Sequence, residues 1–250
     1  MRSRDLLIDL TVRDIKLRYR GSVLGVLWTL LNPLAELIVL WLVFVKVFHV
    51  EIPDFAAYLF TGLLVYGWFQ NSLNFVTGSI VGNRELVRRP GVPVAILPVV
   101  TVASNLVHFV LSLPILFGLL WFSGIAITPA VLLLPGLIAL EFLLILACAY
   151  PIATLHVWFR DTQHVLRVAL QLLFYLTPIF YQVKDVPAGL ASVYRLNPVG
   201  HLVEAYRSVL LYGTLPPLGS VAYLLLLSVG LLLAGLAWFG RASRQFADEV

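Results

Sequence analysis

The sequence predicts an all-α integral membrane protein. It has six transmembrane helices, an N-terminal amphipathic helix at the membrane interface and an external re-entrant helical hairpin between spans 5 and 6. Three observations carry this prediction. Apolar residues make up 60% of the 250-residue chain and charged residues 12%, whereas a soluble domain is nearer ~45–50% and ~25%. Six apolar stretches come close to the roughly 20 residues that a helix needs to cross a bilayer. Basic residues gather on alternate connections, and that bias marks the cytoplasmic side. Little soluble mass remains, so no nucleotide-binding or catalytic domain is expected beside the spans.

The first 25 residues form the interface unit. Charges run through Arg20 before any apolar run begins, so no cleavable signal is expected. Residues 3–20 read as a helix, with Asp5, Asp9, Arg13, Lys16 and Arg20 on one stripe and Ile8, Val12, Ile15 and Tyr19 on another. Such a helix lies on the membrane surface, either as an anchor or as a docking surface for a cytosolic partner. Arg18 and Arg20 then mark the water side, because hydrocarbon excludes them. Gly21 and Gly25 make a small-xxx-small step, and Trp28 suits the headgroup level. Asn32-Pro33 places a polar group and a helix disturbance just inside the first span, which other protein or water must satisfy.

Spans are expected at residues 26–45, 57–80, 95–122, 130–157, 165–181 and 218–239. They form one transmembrane unit, 26–240, followed by a cytoplasmic tail, 241–250. Of the 17 Lys and Arg, all but Lys46, Lys184, Arg195 and Arg207 fall on one side, which places both termini in the cytoplasm. The same bias accounts for the sequence pI near 9.3 without a nucleic-acid partner.

Two cytoplasmic connections stand out. One, 83–93, carries Arg84, Glu85, Arg88, Arg89 and Pro90; in the other, Arg160-Asp161 ends a helix and Thr162 would cap the next. The external segment between spans 5 and 6 is too long for a tight turn and too apolar for a loose loop. A hairpin at about 184–216 fits it, with short helices near 186–194 and 200–212 around the turn signal Asn197-Pro198.

Polar residues recur at helical spacing inside the spans: Trp28, Asn32 and Glu36 in span 1, and Tyr66, Gln70, Asn74 and Thr77 in span 2. Span 3 carries Thr101, Asn105, His108 and Ser112, and span 5 carries Arg167, Gln171 and Tyr175. Two readings account for them: hydrogen bonds between helices, or a wet passage lined with aromatic rings. Uncharged amides, hydroxyls and ring faces suit sugars. Glu36 and Glu141 are the only acids well inside a span, yet no run of Asp, Glu and His links the two faces as a proton relay. The five His are scattered, and no HExxH, phosphate loop or GxSxG is present, so neither a metal site nor a catalytic constellation is expected. The single Cys148 excludes an internal disulfide.

The chain resembles the membrane subunit of ABC-2 type ABC transporters, in the group that exports lipid-linked O-antigen, capsule or wall teichoic acid. The resemblance rests on the stretch from Arg18 to Gly25 leading through Trp28 to Asn32-Pro33, on Tyr58 to Leu63, and on Trp68 to Ser72. It continues through the 83–98 connection, Phe159-Arg160-Asp161, Leu176 to Tyr181 and Leu196-Asn197-Pro198.

The resemblance implies a homodimer working with two copies of a separate ABC ATPase in the bacterial plasma membrane. ATP and Mg²⁺ would be held by that partner, and no cofactor by this chain. Arg13, Lys16, Arg84, Glu85, Arg88, Arg89, Pro90, Arg160 and Asp161 would face the ATPase. Trp28, Asn32, Glu36, Tyr66, Gln70, Asn74, Arg167, Gln171, Phe174, Tyr175 and Tyr181 would line the substrate pathway, with spans 1 and 5 flanking it. Asn197, His201, Glu204 and Arg207 would shape the external gate. A drug or lipid efflux permease and a gradient-driven secondary transporter stay open as alternatives.

Overall fold

The computed structural model describes residues 3–89 and 91–249, so Pro90 of the predicted ATPase-facing connection lies outside it. Among the described residues the structure is helical, without strands. The helices are α1 (Ser3–Arg18), α2 (Trp28–Leu42), α3 (Phe55–Thr77), α4 (Arg84–Val87), α5 (Ile96–Phe122) and α6 (Leu134–Trp158). They continue with α7 (Thr162–Leu176), α8 (Ala191–Leu196), α9 (Pro198–Leu210), α10 (Leu218–Ala242) and α11 (Phe246–Glu249).

Four helical stretches are long and apolar enough to cross a bilayer: Gly25–Val47, Ile96–Phe122, Pro129–Trp158 and Leu218–Ala242. The two other predicted spans correspond to α3 and α7. The 23 residues of α3 reach about 34 Å at 1.5 Å per residue, and polar groups such as Gln70, Asn71 and Asn74 dilute its hydropathy. The 15 residues of α7 reach only about 22 Å, short of the ~30 Å hydrocarbon core. It stops before residue 181, the predicted end, because Pro178 disfavours helical backbone at the residue before it. Thr177 is accordingly extended, at φ −96 and ψ 134.

The bundle is built around α3. Nearly all of it is buried, against α2, α5, α6, α7 and α9. Lipid offers no hydrophobic force between helices, so close packing and hydrogen bonds hold them. Many polar side chains in the spans serve only their own helix. Thr61, Thr101, Ser104, Ser112 and Thr154 donate to the carbonyl four residues back. Outside α3, α10 runs along α6.

The segment between α7 and α10 is built of short helical pieces. Two short 3₁₀ turns precede α8, and α9 begins at Pro198 rather than Gly200. The Asn197-Pro198 signal is a helix start. The Asn197 Oδ1 accepts from Val199 N–H at 3.0 Å and Gly200 N–H at 3.1 Å, and Pro198 takes the first helical position, where no N–H is needed. At the other junction, Thr162 does not cap α7 from outside. It is the first helical residue, and its hydroxyl donates back to Phe159 O at 2.6 Å.

Gly213 closes the hairpin at φ +62, and a Cβ there would lie 2.5 Å from Thr128 Cγ2 on the connection leading into α6. Gly213→Ala combines a left-handed backbone with that overlap. It is expected to cost roughly 1–3 kcal/mol, read as a lower thermal transition of the detergent-solubilised protein. An unchanged transition would show that the two connections are free to separate.

Candidate functional site

A cavity of about 350 Å³ opens where α1, α2, α3 and α5 meet. Its α2 wall is the predicted stripe of Trp28, Asn32 and Glu36, with Thr29 and Pro33. These residues follow one another by about one turn, so the wall climbs about 12 Å from the Trp28 level to Glu36. All three are exposed in the single chain.

The α3 wall differs from the prediction by one residue of register. Gly67, Trp68, Asn71 and Phe75 face the cavity. Of the predicted stripe, Gln70 and Asn74 are half-buried outside this lining and Tyr66 is buried. The Tyr66 hydroxyl donates to Leu170 O, and its ring meets Phe174 edge to face at 5.3 Å. Tyr66 therefore fastens α7 to α3, a correction to its placing on an open passage. A phenol buried in a bundle needs a hydrogen-bond partner, and a helix carbonyl, with two lone pairs, can accept it beside its own helical bond.

The cavity's floor was not among the predicted site residues. Arg18 Nη1 donates to Asn105 Oδ1 at 2.9 Å and lies 3.5 Å from His108 Nδ1. Its Nη2 pairs with Asp14 at 3.3 Å, and the guanidinium sits 3.9 Å over the Phe75 ring. A guanidinium only donates, so His108 Nδ1 is the acceptor and the proton stays on Nε2. That Nε2 faces the Tyr19 hydroxyl at 3.3 Å. Burial pulls the Arg18 guanidinium below its ordinary pKa, with Asp14 opposing, yet it stays charged at any working pH. The clue in the sequence was the three-four spacing of Thr101, Asn105, His108 and Ser112, which aims two side chains of α5 at one neighbour.

On α7 the residues Arg167, Gln171 and Tyr175 are exposed in the single chain, with Val165, Val168 and Leu172 beside them. At its C-terminal end the rings form a chain. Phe174, Tyr175, Phe180 and Tyr181 lie within 5.2–6.3 Å of one another in sequence. Phe44 of the α2 end stacks on Phe180 at 4.8 Å, and the Tyr181 and Tyr194 hydroxyls are 2.6 Å apart. This ring chain links the segment after α2 to Tyr194 of α8.

The four predicted gate residues have separate duties. Asn197 caps α9 and donates to Thr177 Oγ1 at 3.0 Å. His201 Nε2 donates to Arg195 O at 2.9 Å, its Nδ1 accepts from Ser220 Oγ at 3.0 Å, and its ring leans on Tyr223. Glu204 pairs with Arg207 at 2.9 Å. Arg207 itself is fully buried, 0% exposed. It donates to Pro178 O, Ile179 O and Tyr58 O and lies 3.4 Å over the Tyr58 ring. Arg207 is thus a clamp inside the protomer, and no part of it borders an opening. Gly62 makes room for it, since a Cβ there would come within 3.0 Å of Nη2. Glu141 is also buried, between α6 and α9, facing the Tyr206 hydroxyl.

The residues predicted to face a cytosolic partner collect at one end. Arg13, Lys16, Arg84, Glu85, Arg88, Arg89, Arg160 and Asp161 are exposed. Arg13 borders a small cavity of about 30 Å³ shared with Asn83 and Leu86, which joins α1 to the connection carrying α4.

Comparison with known proteins places this geometry. Residues 6–211 match the ABC-2 type transporter family. An O-antigen export system permease protein RfbA of Myxococcus xanthus is 35% identical over 249 residues, 99% of this chain and 96% of that protein. A Klebsiella pneumoniae protein of the same description is 28% identical over 247 residues, 98% and 94% of the two chains. The polysialic acid transport protein KpsM of Escherichia coli is 27% identical over 237 residues, 92% and 90%. The family match takes in most of α1, the cavity and α9, and the chain belongs to the ABC-2 type transporter family.

Proposed function

We propose that this chain is the permease subunit of an ATP-driven exporter that moves a lipid-linked polysaccharide from the cytoplasmic to the outer side of the bacterial plasma membrane. The observation that carries the reading is similarity along nearly the whole chain to permeases described as exporting O-antigen and polysialic acid. The cavity agrees with such a cargo. Its walls offer Trp28, Trp68 and Phe75 as ring faces and Asn32, Asn71 and Asn105 as amides, which stack and hydrogen-bond with sugars without requiring charge. Arg18 at its cytoplasmic end suits the phosphate that joins lipid to glycan.

In this reading α3 and α7 complete six spans, both termini are cytoplasmic, and the 184–216 hairpin is the external gate. Two copies of the chain face each other across α2 and α7. Their outward residues in the single chain, Ile38, Trp41 and Leu42 on one and Val165, Val168 and Leu172 on the other, support that pairing. Two ABC ATPase subunits bind below, holding ATP and Mg²⁺, against α1, α4 and the 160–161 corner. ATP-driven closure of the partners moves these elements and advances the polymer. O-antigen, capsule and wall teichoic acid are the cargo classes to distinguish.

The test is purification of this subunit from its host in mild detergent, followed by an ATPase assay. A stoichiometric ATP-binding chain with vanadate-sensitive activity is expected. A homo-oligomer that transports on an ion gradient without such a chain would overturn the reading and bring Glu36 and Glu141 forward. Reversing charge at Arg88 and Arg89 together is expected to abolish most transport-stimulated ATP hydrolysis while the protein still folds. Full stimulation in that double variant would move the docking surface elsewhere.

A further inference from the structure

The cytoplasmic end of α10 folds back onto the bundle. Ser243 N–H donates to Phe239 O at 2.8 Å and Gln245 N–H to Ala242 O at 3.0 Å, which closes the helix in a turn. The turn delivers Phe246 into the protein, where it is 0% exposed. Its ring meets Phe239 of α10 edge to face at 5.3 Å and Trp158 of α6 at 6.1 Å. Trp158 in turn stacks on Trp238 at 6.5 Å, and Phe239 meets Tyr150 at 5.2 Å. One side chain thus ties together the ends of two long helices.

The short helix that Phe246 begins, α11, packs against α6 and also against α4. Helix α4 has four residues and no side-chain cap. A single turn has no stability of its own, since helix nucleation is unfavourable. Its position must come from tertiary contacts. The structure flanks it on two sides: by α1 and α5, where Leu86 lines a small cavity with Leu10, Leu17, Leu97 and Val100, and by α11. The family match ends at residue 211 and does not reach α11.

We infer that the C-terminal segment is a strut that fixes α4, with Phe246 as the positioning residue. Displacement of α4 is then passed through α11 to the ends of α6 and α10, the pair that runs together along the outside of the bundle. The functional consequence rests on the proposed contact of α4 with the ATPase; the structural one does not.

The experiment is hydrogen exchange on the purified permease–ATPase complex, comparing Phe246→Ala with the unmodified chain. Amides of residues 84–89 are expected to exchange at least tenfold faster, with those of 100–118 unchanged. Phe246→Leu, which fills the space without the ring contacts, is expected to fall between. Where Phe246→Ala fails to fold, the leucine variant carries the comparison alone. Unchanged exchange at 84–89 in a folded variant overturns the strut. Substrate-stimulated ATPase activity is expected to fall at least threefold while the two chains still co-purify. Faster exchange with full stimulation would support the strut and overturn instead the assignment of α4 to the ATPase contact.

Discussion

Arg207→Met is expected to cost about 3–5 kcal/mol, the range found when one partner of a buried charged network is removed. The guanidinium holds three elements at once. Nη1 donates to Pro178 O at 2.6 Å, and Nη2 donates to Ile179 O at 2.8 Å and to Tyr58 O at 3.2 Å. Pro178 and Ile179 lie where α7 has already ended, so these carbonyls have no helix of their own to satisfy them. Methionine fills much of the volume but leaves the carbonyls unpaired and exposes Glu204 without its partner. For a chain of this size the loss corresponds to a thermal transition lowered by roughly 6–20 °C.

Arg207→Lys should fall between, because an ammonium keeps the charge but not the planar fork or the stacking on Tyr58. Glu204→Gln should be mild, since Glu204 is 37% exposed on its side chain and water replaces it. A methionine variant melting within about 2 °C of the unmodified chain would show that water reaches Pro178 and Ile179.

Arg207 also shows where sequence reasoning reached its limit. Its spacing from His201 and Glu204 was legible and placed all three on one helix. Its true partners are main-chain carbonyls from α3 and the end of α7, and backbone atoms leave no mark in a sequence. Tyr66 was misplaced for the same reason, having found the carbonyl of Leu170. The helical content followed from periodicity, because a 3.6-residue repeat is local. Asn197-Pro198, expected as a turn between two short helices, instead starts α9, although its cap needs only neighbouring N–H groups.

The cavity was legible in part. Trp28, Asn32 and Glu36 share one face of α2, and the α5 stripe aims Asn105 and His108 at one neighbour. That this neighbour is Arg18, and that α3 turns Asn71 rather than Gln70 toward them, depends on helix rotation. A one-residue rotation of about 100° is invisible when both candidates are amides.

Arg18 is expected to be the most sensitive residue for export. A charge-assisted hydrogen bond to phosphate contributes about 1.5–3 kcal/mol, so Arg18→Ala should lower polymer export roughly 10- to 150-fold. The same side chain also ties α1 to α5 through Asn105, and its removal has a structural effect as well. Arg18→Lys separates the two. Lysine retains the charge at the cavity floor but not the fork to Asn105, and export should recover to within about tenfold if phosphate recognition dominates.

Trp28→Ala and Tyr175→Ala supply the independent check. Both residues are exposed in the single chain, at 46% and 57%; Tyr175 meets Phe174 and Phe180 through its ring and takes the Tyr181 hydroxyl on its carbonyl. Their loss should leave assembly with the ATPase intact and slow export by removing the faces on which sugars stack. Export measured as polymer reaching the cell surface, alongside co-purification, distinguishes a slowed passage from a broken complex. If Arg18→Ala, Trp28→Ala and Tyr175→Ala all exported normally, the polymer would pass neither this cavity nor the Tyr175 face of α7. The exposed faces of α2 and α7 would then be lipid-facing or dimer-forming surface only.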